Sequence, residues 1–157
     1  MPMNSWRKTL NILNIALLAY IWIFSTIEYF SLPDRIPLHF DFSGKPDSFG
    51  ASYTVFLGAV IATLLYFLNR YLSGNPDSPL LNISDEMRKN KRLTSLFVMI
   101  ITFYILLLFA NMMMEVIFIA KGNYERLSPV SNVIIGLMFI SIVAYFLYAR
   151  KKVHIID

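Results

Sequence analysis

Hydrophobic positions run almost unbroken through four stretches of the chain, at about residues 9–30, 49–69, 93–120 and 130–149. A membrane-crossing helix needs about 20 apolar residues, so each stretch is long enough to span. The third, 28 residues between Arg92 and Lys121, must tilt or project beyond the hydrocarbon. Polar punctuation separates the stretches. Pro33 cannot continue the first helix and biases Leu32 out of the α region. Gly74, Asn75 and Pro76 bring turn chemistry after the second. Ser84, followed by Asp85 and Glu86, reads as the capped, acidic first turn of a helix that runs through residues 88–92 into the third stretch. Ser128 and Pro129 read as the N-cap and first helical position of the fourth. The pattern predicts an all-α integral membrane protein. Residues 1–157 form a single membrane domain, a bundle of four transmembrane helices, with residues 31–48 as an ordered extracytoplasmic cap loop.

Composition agrees. The chain is 57% hydrophobic and 15% charged, against about 25% charged in an average soluble domain, and its mean hydropathy is +0.57. The first stretch follows Arg7 and Lys8, as a signal peptide would. Its apolar run over residues 9–27 is 19 long, beyond the roughly 7–15 of a signal h-region. Glu28, Tyr29 and Phe30 stand where the small residues of a cleavage site belong, so it reads as a retained helix. With no cysteine, disulfides, thiolate catalysis and Cys-based metal sites are excluded.

The net charge of +4 is topological. Its basic residues cluster at span ends, which reads against a nucleic-acid partner and for a lipid bilayer. Ten Lys and Arg fall on the side of the two termini and the 70–92 loop, and four (Arg35, Lys45, Lys121, Arg126) on the other. The excess places both termini in the cytoplasm and turns the cap and the 121–128 loop outward. His154 falls in the basic tail and reads as solvated. Asn82, Ile83 and Ser84 match a glycosylation acceptor on the cytoplasmic side, where it is silent.

Ionisable residues within spans are informative because they are costly there. Glu28 lies twenty positions beyond Lys8 and Glu115 twenty-three beyond Arg92. At about 1.5 Å per residue both reach similar depth near the outer interface. Asn111 lies one turn inward of Glu115 on the same face, and Asn132 enters from the outer end of the fourth helix. His39 and Asp41 share a side if the cap is extended. Glu28, His39, Asp41, Asn111, Glu115 and Asn132 are thus the candidate polar cluster. Three readings stand for it: solvated groups or pairs with Arg35, Arg126 or Lys121; an internal network of loop and helix ends; or a cation or proton site. No cofactor and no resident metal is expected. Gly58 and Ala62, four apart, read as a helix-packing contact.

The cap is stiffened by Pro33 and Pro37. Leu32, Ile36, Leu38, Phe40 and Phe42 can press onto the helix ends, Gly44 permits a turn, and His39 is a candidate strut. Ser43 is too close to His39 and Asp41 for a catalytic triad, whose members converge from separate elements. Phosphate-loop, dinucleotide and zinc-protease motifs are absent. The expectation is a protein that is not an enzyme.

Leu32, Pro33, Ile36, Pro37, His39, Phe40, Gly44 and Asp47 form the pattern L-P-x-x-I-P-x-H-F-x-x-x-G-x-x-D directly after a first membrane helix. Over residues 21–53 this resembles a bacterial family of unknown function. It also resembles the N-terminal module of immunity proteins against a sporulation-delaying peptide toxin. The resemblance implies a multi-pass protein of the bacterial plasma membrane. It also implies self-protection by contact with a membrane-active peptide. The expected function is therefore a non-enzymatic, toxin-immunity or interaction protein. Its outer cap (Pro33, Arg35, Pro37, His39, Phe40, Asp41, Gly44 and Asp47) would contact a peptide toxin, a lipid or another membrane protein, with a homo-oligomer as a further possibility. The alternative is a small transporter or cation- or proton-binding protein using the outer Glu, His and Asp groups.

Overall fold

A computed structural model describes residues 3–83 and 88–153. Ser84, Asp85, Glu86 and His154, and the readings attached to them, lie outside the described residues. The elements are α1 (Met3–Tyr29), β1 (Arg35–Phe40), β2 (Pro46–Ala51), α2 (Val55–Gly74), α3 (Lys91–Ala120) and α4 (Val130–Val153), with a single 3₁₀ turn, Ser52–Thr54, leading into α2. All four α-helices are long and apolar enough to cross a membrane, and the fold is a four-helix membrane bundle.

Helix ends follow local chemistry. α1 closes with Ser31 and Leu32 N–H groups donating to the carbonyls of Glu28 and Tyr29 at 3.0 and 3.2 Å, just before Pro33. α3 begins later than the sequence implied. Asn90, with φ −101° and ψ 77°, interrupts the helix that was expected to run through residues 88–92, and its side chain accepts from Leu93 N–H at 3.2 Å. An amide that satisfies a first-turn N–H favours a fresh start over continuation. α3 ends in a Schellman turn: Gly122 sits at φ 76°, its N–H reaches Ile119 O at 2.9 Å, and Asn123 N–H reaches Phe118 O at 2.8 Å. Ser128 caps α4 as its sequence implied, accepting from Val130 N–H at 3.2 Å.

The ordered cap is a β-hairpin, which the sequence reading missed. β1 and β2 pair antiparallel, Arg35 opposite Ala51 and Phe40 opposite Pro46. Residues 49–51, expected to open the second helix, belong to β2, and α2 starts at Val55. Pro37 and Pro46 are tolerated because a two-stranded ribbon consists of edge strands. Asp41 Oδ1 holds the turn by accepting from Ser43 N–H (2.8 Å), the Ser43 hydroxyl (2.7 Å) and Lys45 N–H (2.9 Å). Gly44 follows at φ 80°. Of the apolar cap residues, Ile36 enters the core, Leu32 packs beside it, and Phe42 is exposed. Leu38 lies across the hairpin, over the open face of Gly50.

The core joins Ile21 of α1, Ile36 of β1, Val55, Ala59 and Ala62 of α2, and Leu106, Ala110, Met113 and Ile117 of α3. α1, α2, α4 and β1 all pack on α3. Gly58 faces Met113, where a Cβ would lie 2.5 Å from the thioether sulfur, and Ala59 and Ala62 are fully buried. Small residues on α2 therefore set its distance from α3. Ala62→Leu should lower the thermal midpoint in detergent through overpacking, by about 1–3 kcal/mol. Leu64→Ala, at a position 64% exposed, should leave it nearly unchanged.

Candidate functional site

The polar side chains at the hairpin end of the bundle divide into three sets of contacts. The first is on the hairpin. His39 Nδ1 lies 2.6 Å from Asp47 Oδ1, with side chains 71% and 45% exposed. His39 is thus a strut between the two strands, facing water, and not a buried tie to the helix ends. Arg35 also stays within the hairpin, donating to Phe49 O at 2.8 Å. Asp41 is held in the turn. The Ser43 hydroxyl, and then the Lys45 N–H, stabilise its carboxylate and hold it below the usual aspartate range.

The second set links α1 to the end of α3, where the Lys121 ammonium pairs with Glu28. Their side chains are 26% and 21% exposed, so the pair is partly covered by the helix ends. The third set links α3 to the start of α4. The Ser128 hydroxyl donates to Glu115 Oε1, and one turn inward Asn111 Nδ2 donates to Ser131 Oγ at 3.0 Å. Glu115 is 1% exposed. The equal depth of Glu28 and Glu115 along the sequence does not make them partners. Lys121, the C-cap residue just past α3, lies six positions beyond Glu115, which turns the two groups to different sides of that helix.

Between the hairpin turn and the α3–α4 loop lies an open cleft of about 780 Å³. Asp41, Phe42, Ser43 and Gly44 form one wall. Residues 123–129, with Ser131 and Asn132, form the other. The walls are fastened by Leu127 N–H donating to Gly44 O at 2.9 Å. A Cβ on Gly44 would sit 3.3 Å from Leu127 N, O and Cβ, so glycine serves both the backbone conformation and the close approach. Of the sequence candidates, Asp41, Gly44 and Asn132 meet at this cleft. Pro33, Arg35, Pro37, His39, Phe40 and Asp47 lie elsewhere on or beside the hairpin.

Sequence reasoning missed Ser128 and Ser131 as partners for Glu115 and Asn111, because their proximity depends on how the loop returns α4 against α3. It also missed polar groups in the half of the bundle away from the hairpin. Asn14 is buried and donates to Met99 O at 3.3 Å, and Ser73 and Ser95 share a hydrogen bond of 2.8 Å. An amide in the middle of an apolar span was the available signal for the first.

Residues 16–63 match the family described as a domain of unknown function (DUF1648). That stretch covers the second half of α1, the hairpin and the first half of α2. An uncharacterized protein of Archaeoglobus fulgidus is 36% identical over 50 residues, which is 32% of this chain and 27% of that protein. No solved structure matches. The family match takes in the hairpin wall of the cleft, and the opposite wall lies beyond it.

Two measurements check this geometry. His39→Ala should cost less than about 1 kcal/mol, as exposed pairs do, whereas Gly44→Ala should cost about 1–2 kcal/mol for the left-handed backbone alone, read by thermal unfolding. The Asp41 carboxyl should titrate below its ordinary value of 3.8, and Ser43→Ala should move it back up. Because its folded pKa is depressed, its support of the turn is present above the unfolded pKa and lost as pH falls through the folded one. Carboxyl chemical shifts read both.

Proposed function

We propose that the chain is a non-enzymatic membrane interaction protein of the toxin-immunity type, whose outer cleft receives an extended peptide segment. It would reside in a bacterial plasma membrane with both termini cytoplasmic, the orientation supported by the ten-to-four bias of basic residues. The observation that carries the reading is the cleft itself, a concavity of about 780 Å³ fastened by the Gly44–Leu127 hydrogen bond. Ligand sites are usually preformed concavities with a few directed polar groups. The hairpin beside it presents strand edges of the kind that peptides extend. The family resemblance of the hairpin sequence to immunity proteins supports a membrane-active peptide as the occupant.

Orientation and occupancy are tested together in cells. The cysteine-free chain allows single thiols. Ser43→Cys should react with a membrane-impermeant maleimide on intact cells, and Asp77→Cys only after permeabilisation. The reverse pattern would invert the topology. A photo-crosslinking side chain at Asn132 should capture a peptide segment, and capture should fall when Gly44→Val disturbs the opposite wall. If Asn132 yields only the lipid adducts seen from a control at Phe139, on the exposed side of α4, the cleft is not a peptide site.

A further inference from the structure

Glu115 has no place in a peptide-receiving cleft, yet it is the one buried carboxylate among the described residues. It lies in a helix of spanning length and is 1% exposed. Oε1 accepts the Ser128 hydroxyl, while Oε2 is buried without a hydrogen-bond partner. Among the described residues the ion pairs are His39–Asp47, Lys91–Asp77 and Lys121–Glu28. Lys121 is thus taken by Glu28, and Glu115 has no cation among the described residues. A buried charge needs pairing, all the more at membrane depth. An orphaned buried polar atom commonly marks a missing water or ion.

The surrounding groups say which. Ser128 Oγ touches Glu115. Asn111 gives its amide N–H to Ser131 Oγ, which leaves its carbonyl oxygen without a protein hydrogen bond. These are hard oxygen donors with one negative charge, the set that suits a small monovalent cation. Among the described residues no group of three or more Asp, Glu or His side chains converges, so the charge that a divalent ion favours is not assembled here. Ser128 and Ser131 also line the outer cleft, which gives the site an aqueous approach.

We infer that Glu115, Asn111, Ser128 and Ser131 form a monovalent-cation site of sodium type at the α3–α4 junction, filled from the outer cleft. The bound cation neutralises Glu115 and ties the first turn of α4 to α3. The site does not depend on the peptide reading, since a cation can be held whatever docks above it.

The experiment compares full-length protein in detergent at fixed pH and ionic strength, in choline chloride and in sodium, lithium or potassium chloride. Unfolding is followed by intrinsic tryptophan fluorescence. Sodium should raise the midpoint saturably over choline, as a ligand of the folded state does. Glu115→Gln should abolish the difference. Ser128→Ala should raise the half-saturating sodium concentration roughly tenfold, equivalent to about 1.4 kcal/mol. Equal midpoints in sodium and choline, with sodium-22 binding at background, would overturn the site, as would a sodium response that survives Glu115→Gln. Should Glu115→Gln fail to fold, Ser128→Ala and Ser131→Ala decide. Unchanged half-saturation in both overturns the inference, and a shift in either upholds it.

Discussion

Lipid tails are as apolar as leucine, so the hydrophobic effect cannot press one membrane helix onto another. The bundle depends instead on close packing around α3. α1, α2 and β1 meet on it in one continuous core, and Leu106 and Ile117 of α3 are fully buried there. Gly58, Ala59 and Ala62 let α2 approach closely enough for that contact. Larger side chains at these positions would separate the two helices and leave dispersion contacts unmade.

α4 is attached differently. Most of its spanning face is exposed to the surroundings, and it packs chiefly on α3. Polar contacts stitch it there: Ser128 to Glu115, Ser131 to Asn111, and Ser141 to Tyr104 at 2.6 Å. Tyr145 adds ring contact with Phe97, centroids 5.0 Å apart. Where water is excluded, as along the apolar span of α4 at Ser141, such a bond is stronger than it would be in solvent. These contacts fix the rotation of a helix whose apolar surface alone specifies none. The buried carboxylate at Glu115 is the costliest member of this seam, and a cation there would turn its cost into a bond between helices.

At the hairpin end the Gly44–Leu127 hydrogen bond does for the loops what the serines do for α4. It joins the hairpin, which carries the family match, to the α3–α4 loop, which lies outside it. Cleft, turn and loop therefore share one fastening. A change at Gly44 acts on all three at once.

The four helices were legible because spanning length and apolar composition are local properties, readable without knowing any partner. The Ser128 cap was legible for the same reason. The hairpin was not. Its strands are short and carry Pro37, Pro46 and Gly50, which mark turns in most settings, and only pairing with each other makes them strands. The Asn90 restart of α3 was hidden because the basic run around it continues a helical pattern. Among site residues, the sequence placed Glu28 and Glu115 at one depth, which follows from counting rise along two helices. Depth is one coordinate. Rotation about the helix axis and the path of the returning loop decided that Glu28 would meet Lys121 and Glu115 would meet Ser128. Those are set by side-chain packing between segments far apart in sequence, which no local pattern encodes.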